Sequence, residues 1–219
     1  MLDHFKSSKR VLDPHERISE VLFGLIMVLT FTGSLSVAEA GREDVRTMLI
    51  GALGCNLAWG IIDGVLYLMG SLAEKGRKLM ILQAVRKASD PRKAQRLVAD
   101  ALPPLFVSIL QPAELDSFRE RLNQIPEPPS PARLDSSDWK GAFGVFLLVF
   151  LSTLPVAIPF MLIHNARLAM RISNVVAVSM LFITGFAYGR CVGRSPKVFG
   201  IAMVILGGIL VGLTVALGG

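Results

Sequence analysis

With 219 residues, 52% of them hydrophobic and only 18% charged, and a mean hydropathy of +0.55, the chain is too apolar for a water-soluble domain of its size, whose surface needs more charge. The formal charge of +6 does not point to nucleic acid, because in a membrane chain the placement of Lys and Arg matters more than their sum. An enzyme acting on a soluble substrate is also without support, since there is no P-loop, no dinucleotide fingerprint and no GxSxG elbow.

The first 17 residues are charged, with His4, His15 and four Lys or Arg. No apolar run followed by an A-x-A-like cleavage site is evident, so the first span is expected to stay as an anchor. Apolar stretches then occur at 18–39, 47–70, 141–164, 172–189 and 198–217. Each is close to the roughly 20 residues that cross a hydrocarbon core of about 30 Å. The expected fold is therefore all-α, a polytopic membrane protein with five transmembrane helices and a small helical cytoplasmic insert between the second and third. It divides into an N-terminal arm with spans one and two (1–70), the insert (71–140), and spans three to five (141–219).

Nineteen of the 23 Lys and Arg residues fall on the side shared by the N-terminus, the insert and the loop after span four, against four on the other. The positive-inside rule then puts the N-terminus in the cytoplasm and the C-terminus opposite. In a bacterium the membrane would be the plasma or inner one. Cys55 and Cys191 stand apart, without a CxxC or a Cys/His cluster, so neither a disulfide nor a zinc site is expected.

Span one carries Glu20, Gly24, Met27, Phe31 and Ser34 at helical spacing, with Thr30 and Thr32 nearby. Span two carries Asn56, Asp63, Tyr67 and Glu74 on one face, and Gly60 and Gly64 bracket Asp63 as a GxxxG that admits a second backbone. Asp63 is the residue to single out, because an intramembrane carboxylate costs about 2.5–3.5 kcal/mol on insertion scales. At about 1.5 Å per residue, Met27 lies roughly 13 Å and Asp63 roughly 10 Å from the inner ends of their spans. A thioether beside a carboxylate, with the Thr30 hydroxyl and Asn56 amide as helpers, suits a partly dehydrated transition-metal ion. A buried carboxylate also carries protons, so the set fits metal/proton exchange. The plainer readings are that Met27 is apolar filling and that Asp63 bonds a neighbouring helix. Glu20 and Glu39, near the surfaces, read as solvated, and His164 as interfacial.

The insert reads as helices punctuated by proline. Asp90-Pro91 is an N-cap with proline at the first helical position, and Ala94, Leu97, Val98 and Ala101 share a face. Pro103-Pro104 ends that helix, Pro112 opens another with Leu115, Phe118 and Leu122 as its stripe, and the proline-rich run 124–133 reads as a stiff linker. Scattered acids and the lack of any His favour a small helical hairpin whose basic face meets anionic lipid. Pro155 and Pro159 should bend span three.

The five-span pattern, ISEVLFGL at the start of span one, EKGRK after span two, and DWKGAFGVFLLVFLSTLPVAIPF through SPKVFGIAMVILGGILVGL resemble the vacuolar iron transporter family. The resemblance implies a homodimer whose first two spans pass divalent iron or manganese out of the cytosol in exchange for protons; these ions would be substrate, with no cofactor firmly implied. It also exposes departures. The family's span-one Asp-Gly pair corresponds to Met27-Val28 and its span-two Met to Asp63, so carboxylate and thioether have exchanged helices. The family's Gly-Glu-Tyr motif is replaced around Leu66-Tyr67-Leu68, and its Glu-rich cytoplasmic site is largely missing. A non-transporting membrane scaffold that kept the fold and lost the metal site is the alternative.

Overall fold

The computed structural model describes residues 12–33, 42–124 and 131–216. The expectations placed on His4, Ser34 and Glu39 lie outside these, as does most of the linker at 124–133. Every element among the described residues is helical: α1 (Pro14–Gly33), α2 (Arg42–Lys87), α3 (Pro91–Ala101), α4 (Pro104–Val107), α5 (Pro112–Gln124), α6 (Ser136–Ser152), α7 (Leu154–Leu162), α8 (Ala166–Cys191) and α9 (Pro196–Ala216). They belong to two compact units, Met1–Tyr67 with Ser137–Gly219, and Leu68–Ser136.

Four described segments are long and apolar enough to cross a membrane: Glu43–Lys87, Ser136–Leu162, Ala166–Cys191 and Pro196–Leu213. The expected first span is not among them, because the described part of α1 has 20 residues and carries Glu16, Arg17 and Glu20 in its first two turns. Ile61, Val65, Val175, Ile183, Ile201 and Ile209 are each half exposed or more. Contiguous apolar surface of that kind is untenable in water and ordinary against lipid tails. The chain is a multi-pass membrane protein.

In the first unit, α1 is the central helix. Its Leu25, Val28 and Leu29 are buried with Ala52 of α2, Val156 of α7, and Ala177 and Leu181 of α8, while Val204 and Val211 of α9 pack against the cluster. α2 meets α6 through its glycines: a Cβ at Gly64 would stand 3.2 Å from the Ala142 carbonyl oxygen, and one at Gly60 would stand 3.2 Å from that of Phe146. The expected close backbone approach at this GxxxG is thus made by α6. The third apolar stretch breaks at Thr153, between α6 and α7, with proline in the first turn of α7 and Pro159 within it. Proline lacks an N–H, so the preceding turn loses hydrogen bonds. Ser173 of α8 donates to the Val156 carbonyl at 2.7 Å, a bond that suits irregular backbone at membrane depth.

In the second unit, the Asp90 carboxylate caps α3 by accepting from the Arg92 N–H at 2.9 Å, as its sequence predicts. Val85 of α2 with Ala94 and Val98 of α3 forms a small core, joined by Leu115 and Leu122 of α5. Gln95 donates to Asp116 at 2.8 Å, tying α3 to α5. Asp116 is half-buried at that contact, while Phe118 of the expected stripe is 44% exposed.

Candidate functional site

The polar residues of the first unit gather where α1 and α2 run antiparallel. Asn56 is completely buried. Its Nδ2 donates to the Gly24 carbonyl at 3.3 Å. A side chain at Gly24 would run into Ser152 Oγ and the Val149 carbonyl of α6, so any larger residue would force α1 away from α6. One residue along, the rings of Phe23 and Trp59 meet edge to face with centroids 5.4 Å apart. Trp59 is part of this register.

The same register continues toward the start of α1, where Glu20 lies within electrostatic range of Asp63 across the seam and of Glu16 on its own helix. Two carboxylates from different helices therefore lie within electrostatic range of one another. Asp63 is half-buried beside Gly64, which is buried against α6. Tyr67, one turn on, lays its ring over Gly141, where a Cβ would collide with it.

Of the four residues singled out from sequence, the structure brings Asn56 into the seam and aligns Asp63 with Glu20. Met27 is half-buried and sits seven residues beyond Glu20 on α1, about 10 Å of helix rise. Thr30 is half-buried, and its hydroxyl donates to the Ile26 carbonyl at 2.9 Å, which leaves its lone pairs for a further contact. Glu20 was read as solvated from its position near the span's end. The signal that identifies it is its place one turn before Gly24, on the face that meets Asn56.

Asn56 Oδ1 is buried and has no hydrogen-bond partner among the described residues. Leaving such a carbonyl unsatisfied costs about 1–3 kcal/mol, a cost that a cation, a water or a donor passing through the seam would offset. The seam thus presents oxygen acceptors in series, the Glu20 and Asp63 carboxylates and then the Asn56 amide. Oxygen ligands of this kind favour hard divalent ions, and the Met27 thioether adds a softer donor further along. Among the described residues no three His, Cys, Asp or Glu side chains stand together as a metal cage.

The model of the VIT family matches residues 80–219, nearly two thirds of the chain. A search of curated proteins found no match.

Proposed function

The chain belongs to the VIT family of membrane metal-ion transporters, and from that membership and the α1–α2 seam we propose that it moves a divalent metal ion, iron(II) or manganese(II), out of the cytosol in exchange for protons. The observation that carries the reading is the pairing of Glu20 with Asp63 across two helices of a membrane bundle. Facing carboxylates are costly there unless they bind something positive. One divalent ion neutralises both. When the ion leaves, protons can take its place on the same oxygens, so occupancy by metal and by protons is mutually exclusive, which is the requirement for exchange.

α1 is proposed as the fifth span. Support comes from its position, with Leu25, Val28 and Leu29 buried among helices that are themselves apolar enough to cross. The distribution of Lys and Arg supports a cytoplasmic N-terminus and insert, which places Glu20 and Asp63 near the cytoplasmic entry and Asn56, Met27 and Thr30 further along. A homodimer with the seam facing its symmetry mate completes the proposal.

The test is uptake of iron(II) and manganese(II) into proteoliposomes under an imposed proton gradient, comparing the native protein with Asp63→Asn. Gradient-dependent uptake that falls at least tenfold in a correctly folded variant is the expected result. No uptake by folded native protein would overturn transport of these metals and leave the membrane-scaffold reading in front, and uptake untouched by Asp63→Asn would move the site elsewhere.

A further inference from the structure

A second feature of the first unit stands apart from the metal seam. α1 presents Glu20 toward α2, but Arg17 and Val21, one turn apart on a neighbouring face, line a groove of about 480 Å³ against α6 and α8. Its walls are apolar, built from Leu147, Leu148 and Leu151 of α6 and Met180 of α8. Among the described residues Arg17 is the one charged residue that lines it, and its Nε is buried with no hydrogen-bond partner among them. Along α6 the groove runs from Gly144 to Leu151, about 10 Å.

We propose that this groove holds one anionic phospholipid, its phosphate on the Arg17 guanidinium and the first part of an acyl chain along Leu147, Leu148 and Leu151. Charge complementarity argues for this occupant. A guanidinium offers a planar fork of donors that matches a phosphate, and a buried N–H without an acceptor is what such a headgroup satisfies. Among the described residues the leucine walls carry no charge beyond Arg17 and one hydroxyl, that of Ser152, which already donates to the Val149 carbonyl, so they suit a hydrocarbon chain. The inference rests on the cytoplasmic N-terminus proposed above, which puts Arg17 at the leaflet where anionic lipids concentrate. The lipid would wedge between α1 and α6, on the face of α1 next to the one that carries Glu20.

Native mass spectrometry of the full chain in detergent, with phosphatidylglycerol or phosphatidylcholine added, tests this without metal or transport, so its outcome is independent of the uptake assay. The native protein is expected to retain one phosphatidylglycerol per chain in preference to phosphatidylcholine. Arg17→Gln should weaken phosphatidylglycerol retention about tenfold, the loss of one charge-assisted contact, and bring the two lipids level. Leu148→Trp, which fills the groove and leaves the cation, should remove both lipids. Equal phosphatidylglycerol retention by the native protein and both variants overturns the proposal. So does a change from dimer to monomer in Leu148→Trp with the lipid count unchanged, which would make the groove a seam between two copies.

Discussion

The α8–α9 seam and the α1–α2 seam differ in what they bring together, glycines against apolar side chains in the first and polar groups in the second. Between α8 and α9, a Cβ at Gly185 would stand 2.7 Å from the Phe199 carbonyl and from Met203 Cγ, one at Gly189 would stand 2.8 Å from Pro196 Cα, and Gly200 receives the Phe182 ring. Small residues meet large apolar ones, Tyr188 rests on Phe199 with ring centroids 5.6 Å apart, and the buried Thr184 hydroxyl donates to Met180 of its own helix. This seam is scaffold. Between α1 and α2 Asn56 donates to the Gly24 carbonyl, and the same helices bring Glu20 within electrostatic range of Asp63. The family match covers the first kind of seam and stops short of the second, beginning at residue 80. Family membership therefore speaks for the frame, and the chemistry of this chain must be argued from its own side chains.

The sharpest way to break the comparison is Gly24→Val. The new side chain meets Ser152 Oγ and a backbone carbonyl that cannot turn aside, so the expected loss is about 3 kcal/mol or more, at the upper end of overpacking, seen as a large drop in melting temperature in detergent. Gly208→Val is the control, since nothing lies within 4 Å of a Cβ at Gly208, and it should leave the melting temperature unchanged. If the two variants melted alike, α1 would not be wedged against α6 as described.

Gly185→Ala should cost less, about 1–3 kcal/mol, because Met203 is flexible and can yield part of the space. Its uptake per folded molecule should equal that of the native protein, as a purely structural seam requires. Loss of uptake by a fully folded Gly185→Ala would mean that the α8–α9 seam takes part in transport.

How much of this was legible in the sequence follows from the range of each interaction. The Asp90 cap, the break near Pro155 and the GxxxG at Gly60 are local, set by residues within one turn, and the sequence predicts all three. Gly70 was read as the end of a span, but α2 runs through it to Lys87; Glu74 pairs with Arg77 at 3.0 Å and Lys78 at 3.4 Å, which supports the exposed helix past the glycine. The partner of Asp63 was not legible. Depth counted from the two span ends aligned it with Met27, whereas pairing of Gly24 with Asn56 and of Phe23 with Trp59 fixes the helices so that Glu20 lies opposite. A register between helices depends on contacts 32 residues apart in sequence, which no periodicity within one helix reveals.

Asn56 gives the smallest effect on stability and the clearest separation of the two kinds of seam. Asn56→Leu replaces a buried amide with an apolar group of similar size. It forfeits the bond to the Gly24 carbonyl and leaves that oxygen to its helix, but it also removes the unpaired Oδ1. The two terms are each on the order of 1 kcal/mol and oppose one another, so the melting temperature should move by only a few degrees in either direction. Were the seam only scaffold, uptake would be equally indifferent. If Asn56 Oδ1 is an acceptor on the metal path, uptake should fall about tenfold, and Asn56→Gln should recover part of it by restoring an amide carbonyl. A folded Asn56→Leu that transports at the native rate would therefore place the ion's route away from Asn56, even with Asp63 essential.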